Sequence, residues 1–582
     1  MERLDCDVLI IGGGGAALYA ALRAFDRDPA LKIVVASKGL FGKSGCTRMV
    51  QGGYNVVLHR DDSFDKHYSD TIRGGSLINN QELAWLLVTE APKRIFELEN
   101  RYGCYFDRNS DGTIHQRALA GQSFNRTIHR GDLTGIELMS RLSEQVLVRG
   151  ITVLNEVRGL DLLFDSTGET VCGALLFDTH RRAFVAVNAR ATLLATGGAA
   201  PLYKITAASL DKSGDGLAMA YRAGAKFVDM EMMQFHPTGL IAGNSVMTGT
   251  VLEEGLRGAG GHLLNAEGER YMKRYDPAKM ERSTRDRVSR SSFMEIRDGR
   301  GSPEDGVFLD VRHLGKEFLL KSSPGMYKRC MSVGYDMAQD PIQVTPTAHF
   351  QMGGILIDTR LESSIGGLYV AGEDAGGVHG ANRLGGNGVA ESMVFGGLAG
   401  ERLAEHAREN DLRAIDQDRL GGLMRKYGEA KTGKGNPFEL RQAVRACAWK
   451  DLGIIRDEAS LTRAEETLAG VEARLRDLPD PAEGQGDIAF LEKLDVENLL
   501  AVARLIRISA GLRTESRGSH FRSDYDQVSD DGLYNIVLEP RSNGETRAER
   551  VPVTFTRLRP EDLAGDTVIP TSQPTMEART EA

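Results

Sequence analysis

Near the start of the chain two apolar runs flank a helical pattern, the order of a strand–helix–strand unit. Asp7 to Ile11 (DVLII) is a short unbroken apolar run, which predicts a strand buried on both faces. Ala16 to Ala24 predicts a helix packed closely on that strand, and Lys32 to Ala36 (KIVVA) the returning parallel strand. Arg190 to Tyr203 (RATLLATGGAAPLY) reads as a buried strand ending in a Thr-Gly-Gly turn, and GLYVAG (Gly367 to Gly372) as a further strand. From about 415 to 525 the pattern is helical. Leu461, Ala464, Leu468, Val471 and Leu475 keep a three–four spacing with charges between them, a stripe most simply read as helix-bundle core. The stretch LPDPAEGQGD (478–487) separates that helix from DVENLLAVARLIRI. Residues 526–582 read as a small strand-containing end with a polar tail.

The turn after the first strand carries chemistry. Gly12 makes the tight turn, Gly14 lets the backbone approach a pyrophosphate, and Ala17 takes the third small position where helix meets strand. A pyrophosphate then rests on the helix N-terminus, where free N–H groups and the dipole favour negative charge. The second strand ends in Ser37-Lys38 rather than the acid that usually takes the ribose hydroxyls, which disfavours NAD as a loosely bound coenzyme. Serine still reaches a ribose, and lysine a phosphate.

Composition narrows the classes. The 582 residues are 41% hydrophobic and 26% charged, as in an ordinary soluble globular protein, and the length suits three or four domains. A net charge of −9 with no long Lys/Arg run argues against nucleic acid. No apolar run approaches the roughly 20 residues of a membrane helix, and the chain enters a strand at once without a signal-peptide pattern. A cytoplasmic location is expected, with any membrane attachment made through a partner. Cys6, Cys46, Cys104, Cys172, Cys330 and Cys447 show no C-x-x-C spacing, so no zinc or iron–sulfur site is expected.

Seven stretches then follow in order: FGKSGCTRMVQGG (41–53), the Thr-Gly-Gly turn, SGDGLAMAYRAGAKFVDMEMMQFHPTG (213–239), EEGLRGAGG (253–261), RDRVSRS (285–291), PTAHFQMGGI (346–355) and GLYVAGEDAGGVHGANRLGGNGVAES (367–392). With these the chain resembles the flavoprotein subunits of succinate dehydrogenase and fumarate reductase and their relative L-aspartate oxidase. The likeness continues more loosely through KTGKGNPFELR and ESRGSHFRSDY.

The resemblance implies an α/β fold: a Rossmann-like FAD-binding domain (1–240 and 345–410) with an inserted α+β capping domain (241–344). A helical bundle domain (415–525) and a small C-terminal domain (526–582) follow. The implied cofactor contacts, together with the turn residues above, are Ser44, Cys46, Thr47, Gly52, Gly53, Thr196, Gly197, Asp215, Glu373, Gly388 and Val389. Glu373 suits a ribityl or ribose hydroxyl. His236, Thr238, Glu253, His349 and Arg383 match the positions around a dicarboxylate, Arg285 the residue assigned the proton transfer, and Glu254 and Arg257 its relay to solvent. An arginine is an awkward acid, because its pKa exceeds about 12. Either nearby cations and dryness lower it, or Arg285 stabilises charge while water or Glu254 moves the proton.

Two positions depart from the family. Its loop carries a histidine bonded to the flavin 8-methyl carbon, and here that position is Cys46, so FAD is expected to be held without that bond. Loss of the substituent lowers the flavin potential, which in this family favours fumarate reduction. Glu253 replaces the threonine before the relay glutamate, and it either repels a dianion or supplies the carboxylate an amino acid substrate needs. L-Aspartate oxidase is therefore the alternative, although Arg117 to Gly135 has no acid before Asp132, as in the dehydrogenases. A non-catalytic FAD scaffold is disfavoured by the retained polar set. The partners implied are a membrane anchor and an iron–sulfur subunit, passing electrons to or from quinone, which would place the chain on the inner face of the cell membrane.

Overall fold

The long ladder between strands β1 (Glu2–Ile11) and β6 (Ala183–Leu194) organises the molecule, pairing them in parallel from Glu2↔Val185 to Ile11↔Leu194. Because this ladder begins at Glu2, the first strand starts earlier than its apolar run alone indicates. The computed structural model describes residues 1–119, 121–252, 254–428, 435–478, 487–541 and 544–563. Helix α1 (Gly15–Arg27) and strand β2 (Ile33–Ser37) complete the unit read from the sequence, with β1 and β2 parallel. The sheet runs in the order β3 (Thr152–Asn155), β2, β1, β6, β5 (Val171–Asp178), β4 (Val157–Phe164).

Strand β6 shares its other edge lengthwise. Its first half pairs with β5 and its last three residues with a short later strand, Leu368–Val370, the predicted GLYV segment. Both β6 and that short strand therefore end at the same rim as β1. Loops carrying Thr196-Gly197 and Glu373 converge there with the Gly12 turn.

A second sheet, all antiparallel, has the order β7 (Met233–Leu240), β10 (Ile342–Gln351), β9 (Val307–Asp310), β8 (His262–Leu264). It packs with a separate apolar core drawn from residues 240–344, including Leu263, Leu309, Val344 and Met326. The boundary expected between 344 and 345 falls inside β10, so one strand serves both the cap and the flavin side. Helix α2 (Glu254–Gly258) and helix α3 (Arg285–Glu295) flank this sheet.

Helix α4 (Asn387–Glu409) runs back from the rim against α1. The approach is so close that a Cβ on Gly396 would lie 2.6 Å from the Ala16 carbonyl oxygen, and one on Gly400 2.2 Å from that of Ala20. Glycine is required here by space. Beyond it, α5 (Pro437–Asp451), α6 (Glu458–Arg476) and α7 (Asp487–Leu512) form the helical region. The stripe read from the sequence is all buried, and Asp457 with Ser460 closes a capping box at the α6 start. Most of the break at 478–487, the Lys431–Lys434 part of KTGKGNPFELR and the tail from 564 lie outside the described residues. Among the described residues no helix is long and apolar enough to cross a membrane.

One substitution made at two places should give opposite signs. Gly400→Ala forces a methyl group into backbone and should destabilise by about 1–3 kcal/mol. Gly470→Ala on exposed α6, where nothing lies within 4 Å, should stabilise by up to about 1 kcal/mol through helix propensity. Thermal melts of both variants check this; a Gly400→Ala melting temperature at or above that of the parent would contradict the packing account.

Candidate active site

A cavity of about 490 Å³ extends from the Gly12 turn to a cluster of arginines and histidines under the cap. At its first end the glycines divide their work. Gly12 sits at φ +136°, and a Cβ there would lie 2.1 Å from the Ala195 carbonyl oxygen, so only glycine makes the turn. A Cβ on Gly14 would meet nothing nearer than the Thr47 hydroxyl at 3.6 Å, so its backbone is open to a ligand. The N-termini of α1 and α4, neither capped by a side chain, both reach the cavity wall. Gln51 adds a buried side-chain oxygen with no protein partner, also on the wall. Open glycine backbone, two free helix starts and an unpaired acceptor fit a long, polar, anionic cofactor.

Of the cofactor residues expected from sequence, Gly12, Gly14, Ser37, Lys38, Ser44, Cys46, Thr47, Gly52, Gly53, Thr196, Gly197, Asp215, Glu373, Gly388 and Val389 all line this cavity. Ala17 does not: it is fully buried in the core, and its neighbour Ala16 in the first turn of α1 lines the cavity instead. Lys38 lines the wall, yet its ammonium is engaged by Asp215 at 3.0 Å, Asp495 at 2.9 Å and the Ser213 hydroxyl at 2.7 Å. Asp215 in turn accepts from Arg158, which the sequence reading missed. Burial opposes ionisation of Asp215, but Arg158 and then Lys38 hold its carboxyl below the usual range.

Cys46 is half-buried on the wall, and its sulfur accepts from the Ser209 backbone N–H at 3.3 Å. Burial pushes the thiol pKa up against the opposing pull of Lys212. Lys212 is a second residue the reading missed. Its ammonium lies 2.5 Å from Glu373 Oε2, while Glu373 Oε1 accepts from the Gln351 N–H at 3.0 Å. Beside it the buried Asp374, held by the Thr196 and Gly197 N–H groups, is pushed up to about 7 by burial.

At the other end, β7 and β10 supply both histidines. Pairing passes from Gln234↔Phe350 to Phe235↔Ala348, which leaves His349 as the extra residue of a β-bulge. Proline at 237 and at 346 marks the next irregularity, since neither can donate to the ladder. The two imidazoles end with ring centroids 5.5 Å apart, edge to face. Burial, then Arg285 for His236 and Arg383 for His349, holds both pKa values well below the ordinary value, so both rings are neutral. The Thr238 N–H donates to His236 Nδ1 at 3.3 Å, and the Thr238 hydroxyl donates to the Leu252 carbonyl at 2.7 Å. That leaves His236 Nε2 carrying the proton. Thr238 itself does not line the cavity; it orients the ring from behind.

Arg285 starts α3 and donates from Nε and Nη2 to Glu254 Oε2, at 2.9 and 2.6 Å. Its Nη1 donates to Gln234 Oε1 at 3.2 Å, and Arg383 Nη2 donates to the same oxygen at 3.0 Å. Gln234 was not singled out from sequence, although its place two residues before His236 on one strand was the available signal. The Arg383 guanidinium also lies over the Phe350 ring, 4.4 Å from its centroid. Burial and then the charge of Arg285 bring the Arg383 pKa down to about 9.

Arg257 is buried behind Glu254, with Nη2 3.8 Å from Glu254 Oε1, and does not line the cavity. Against the cost of burial, Arg285 and then Arg257 keep the Glu254 carboxyl below its ordinary value. Three guanidinium groups thus face one carboxylate. Two positive charges remain to be met by an anion, since unpaired buried charge is expensive. Glu253 lies outside the described residues.

This fold and cavity define an FAD-dependent oxidoreductase that handles an anionic substrate. Comparison with known proteins agrees. The FAD binding domain family matches residues 7–389, and the fumarate reductase flavoprotein C-terminal family residues 441–568. One subunit of the fumarate reductase (CoM/CoB) of Methanothermobacter marburgensis is 41% identical over 92% of this chain and 97% of its own. The 8-methylmenaquinol:fumarate reductase flavoprotein subunit of Wolinella succinogenes is 36% identical over 96% and 92%. Among solved structures, a variant of E. coli quinol fumarate reductase FrdA superposes with a TM-score of 0.90 at 32% identity, covering 96% of this chain and 98% of that one. The chain belongs to the succinate dehydrogenase/fumarate reductase flavoprotein family, and its cofactor is FAD.

Because the Cys46 thiol is kept protonated, FAD-free folded protein should label slowly with iodoacetamide at pH 7 and faster as pH rises above 9. Mass spectrometry of the 41–53 peptide reads this; rapid labelling at pH 7 would show a thiolate that the surroundings described here do not support.

Proposed function

We propose that this chain interconverts succinate and fumarate as the flavoprotein subunit of a complex, working chiefly as a fumarate reductase. Bound FAD supplies the two-electron chemistry. The observation that carries the reading is the largely buried cluster with two positive charges in excess, the number that balances a dicarboxylate. Arg383 and His349 take one carboxylate; His236, donating from Nε2, takes the other. Gln234 fixes the Arg285 and Arg383 guanidinium groups to one oxygen, so both donors are oriented before the diacid arrives. Arg285 exchanges the proton at the reacting carbon, and Glu254 returns it through the two bonds to Nε and Nη2, with Arg257 behind. Glu254 rests as a carboxylate, so it takes a proton from the solvent side before passing it to Arg285, and the arginine is neutral only in transit.

The names of the relatives favour this reading over L-aspartate oxidase. Electrons must come from elsewhere: among the described residues no group of three or more His, Cys, Asp or Glu side chains is arranged to hold a metal. An iron–sulfur subunit, with attachment to the inner membrane face through an anchor, is supported by the complexes the relatives' names describe. Glu253 remains a contact we assign to the substrate end from its place beside Glu254.

FAD reduced under anaerobic conditions should reoxidise on adding fumarate, and Arg285→Gln should slow this about 10²–10⁴-fold, the worth of a positioned proton donor. Reoxidation by iminoaspartate but not fumarate would transfer the assignment to the amino acid oxidase. Malonate affinity should fall as pH rises through about 9, because Arg383 loses the charge that holds a carboxylate. The loss approaches tenfold per pH unit, and a flavin difference spectrum reads it. Acid precipitation should leave the yellow colour in solution, since no imidazole is available at position 46; fluorescence retained by the denatured chain would overturn the non-covalent assignment.

A further inference from the structure

The Lys212–Glu373 pair has no part in the scheme above. Both side chains are nearly buried, 5% and 11% exposed, and both line the cavity. Burying such a pair brings little stability, because desolvation of two ions offsets their attraction, and apolar residues of similar size often serve better. Net stability is therefore a weak reason for the pair. The Lys212 stem lies on the Thr-Gly-Gly turn, its Cε 3.0 Å from where a Cβ on Gly197 would be. Its ammonium is close enough to Cys46 to draw on the thiol, and close enough to His349 to act on that ring. It thus stands between the loop that lacks the flavin-bonding histidine and the end that takes the diacid. Lys212, the Gly12 turn and His349 line one cavity, so the pair is on the wall a bound flavin would share.

We propose that Lys212 and Glu373 form a charge couple that sets the flavin reduction potential, with Lys212 raising it and Glu373 lowering it. The proposal rests on the flavin reading of this cavity and goes beyond it. Two-electron reduction of a flavin with uptake of one proton leaves negative charge on the ring. A fixed ammonium in a dry wall stabilises that charge, and a fixed carboxylate opposes it. Asp374, the other acid beside Lys212, is partly neutralised by its own burial, and the Cys46 thiol is uncharged, so on this stretch of wall Lys212 and Glu373 carry the charge. Lysine thereby recovers part of what the missing covalent substituent would contribute. Lys212 acts on the cofactor, not on the substrate.

The test is a potentiometric titration of FAD-loaded Lys212→Met, Lys212→Arg and Glu373→Gln without substrate. Removing the ammonium should weaken binding of reduced relative to oxidised FAD about tenfold, which is a fall of about 30 mV for a two-electron couple. Lys212→Arg should stay near the parent, and Glu373→Gln should rise. The ratio of dissociation constants for oxidised and reduced FAD gives the same quantity, so a variant that releases its cofactor is still read. An unchanged potential in Lys212→Met, or shifts of the same sign in Lys212→Met and Glu373→Gln, would overturn the couple. Parent protein with no reversible flavin signal would instead defeat the flavin reading itself.

Discussion

Two like-charged guanidinium groups held on a single amide oxygen are the constraint around which the site is arranged. Arg285 and Arg383, both on the wall of the cavity, donate to Gln234 Oε1, with Arg383 buried and Arg285 nearly so. Their repulsion is neither screened by solvent nor cancelled by Glu254, which satisfies one of them. The fold tolerates the arrangement because its geometry is imposed from three directions: α3 from the cap, the loop before α4, and strand β7. Such a pocket is electrostatically incomplete without a dianion. The repulsion favours binding of an anion, and it adds to burial, the larger cause, in depressing the Arg383 pKa.

Holding that arrangement requires unusually close backbone packing elsewhere. Helix α4 starts four residues after Arg383, at Asn387, and its N-terminus reaches the cavity wall. It does so by lying on α1 with glycine at both contacts, so the two helices that present free N–H groups to the cofactor are locked to one another. The loop that carries Arg383 thus runs directly into a helix fixed against the cofactor end.

The sequence made the local pieces legible. The Gly12 turn, the strands on either side of it and the α6 stripe all follow from patterns that a few consecutive residues impose, and the structure contains them. Relations across the chain were legible only through the ordered motifs. Lys38 looked like a phosphate ligand because it follows a strand; nothing local reveals that Asp495, 457 residues later, takes its charge. Thr238 and Arg257 were placed with the substrate and relay groups, and the structure sets both one layer back from the cavity. Gln234 escaped notice because a glutamine beside a histidine carries no charge to draw attention. Its importance lies in geometry: one oxygen at the right distance from two cations that the chain brings in from residues 285 and 383.

The likeness to the family beyond residue 410 also gains a physical reason. Gly518 packs so tightly on the 381 loop that a Cβ would lie 2.5 Å from the Ala381 carbonyl oxygen, which accepts from the Ser519 N–H at 2.9 Å. Next to it, buried His520 accepts from Arg456 at 2.8 Å through Nδ1, and Arg456 donates to the Glu231 carbonyl at 2.9 Å. Arg513 joins Glu231 and Asp229 to the same cluster. The ESRGSHFRSDY segment thus grips the loop that ends in Arg383 and the turn that begins β7, the two carriers of the guanidinium–glutamine contact. Buried ion pairs of this kind add little net stability over apolar residues of similar size, since desolvation offsets their attraction. What they provide is position: a brace that lets two repelling cations keep their places while the pocket between them stands open to a diacid.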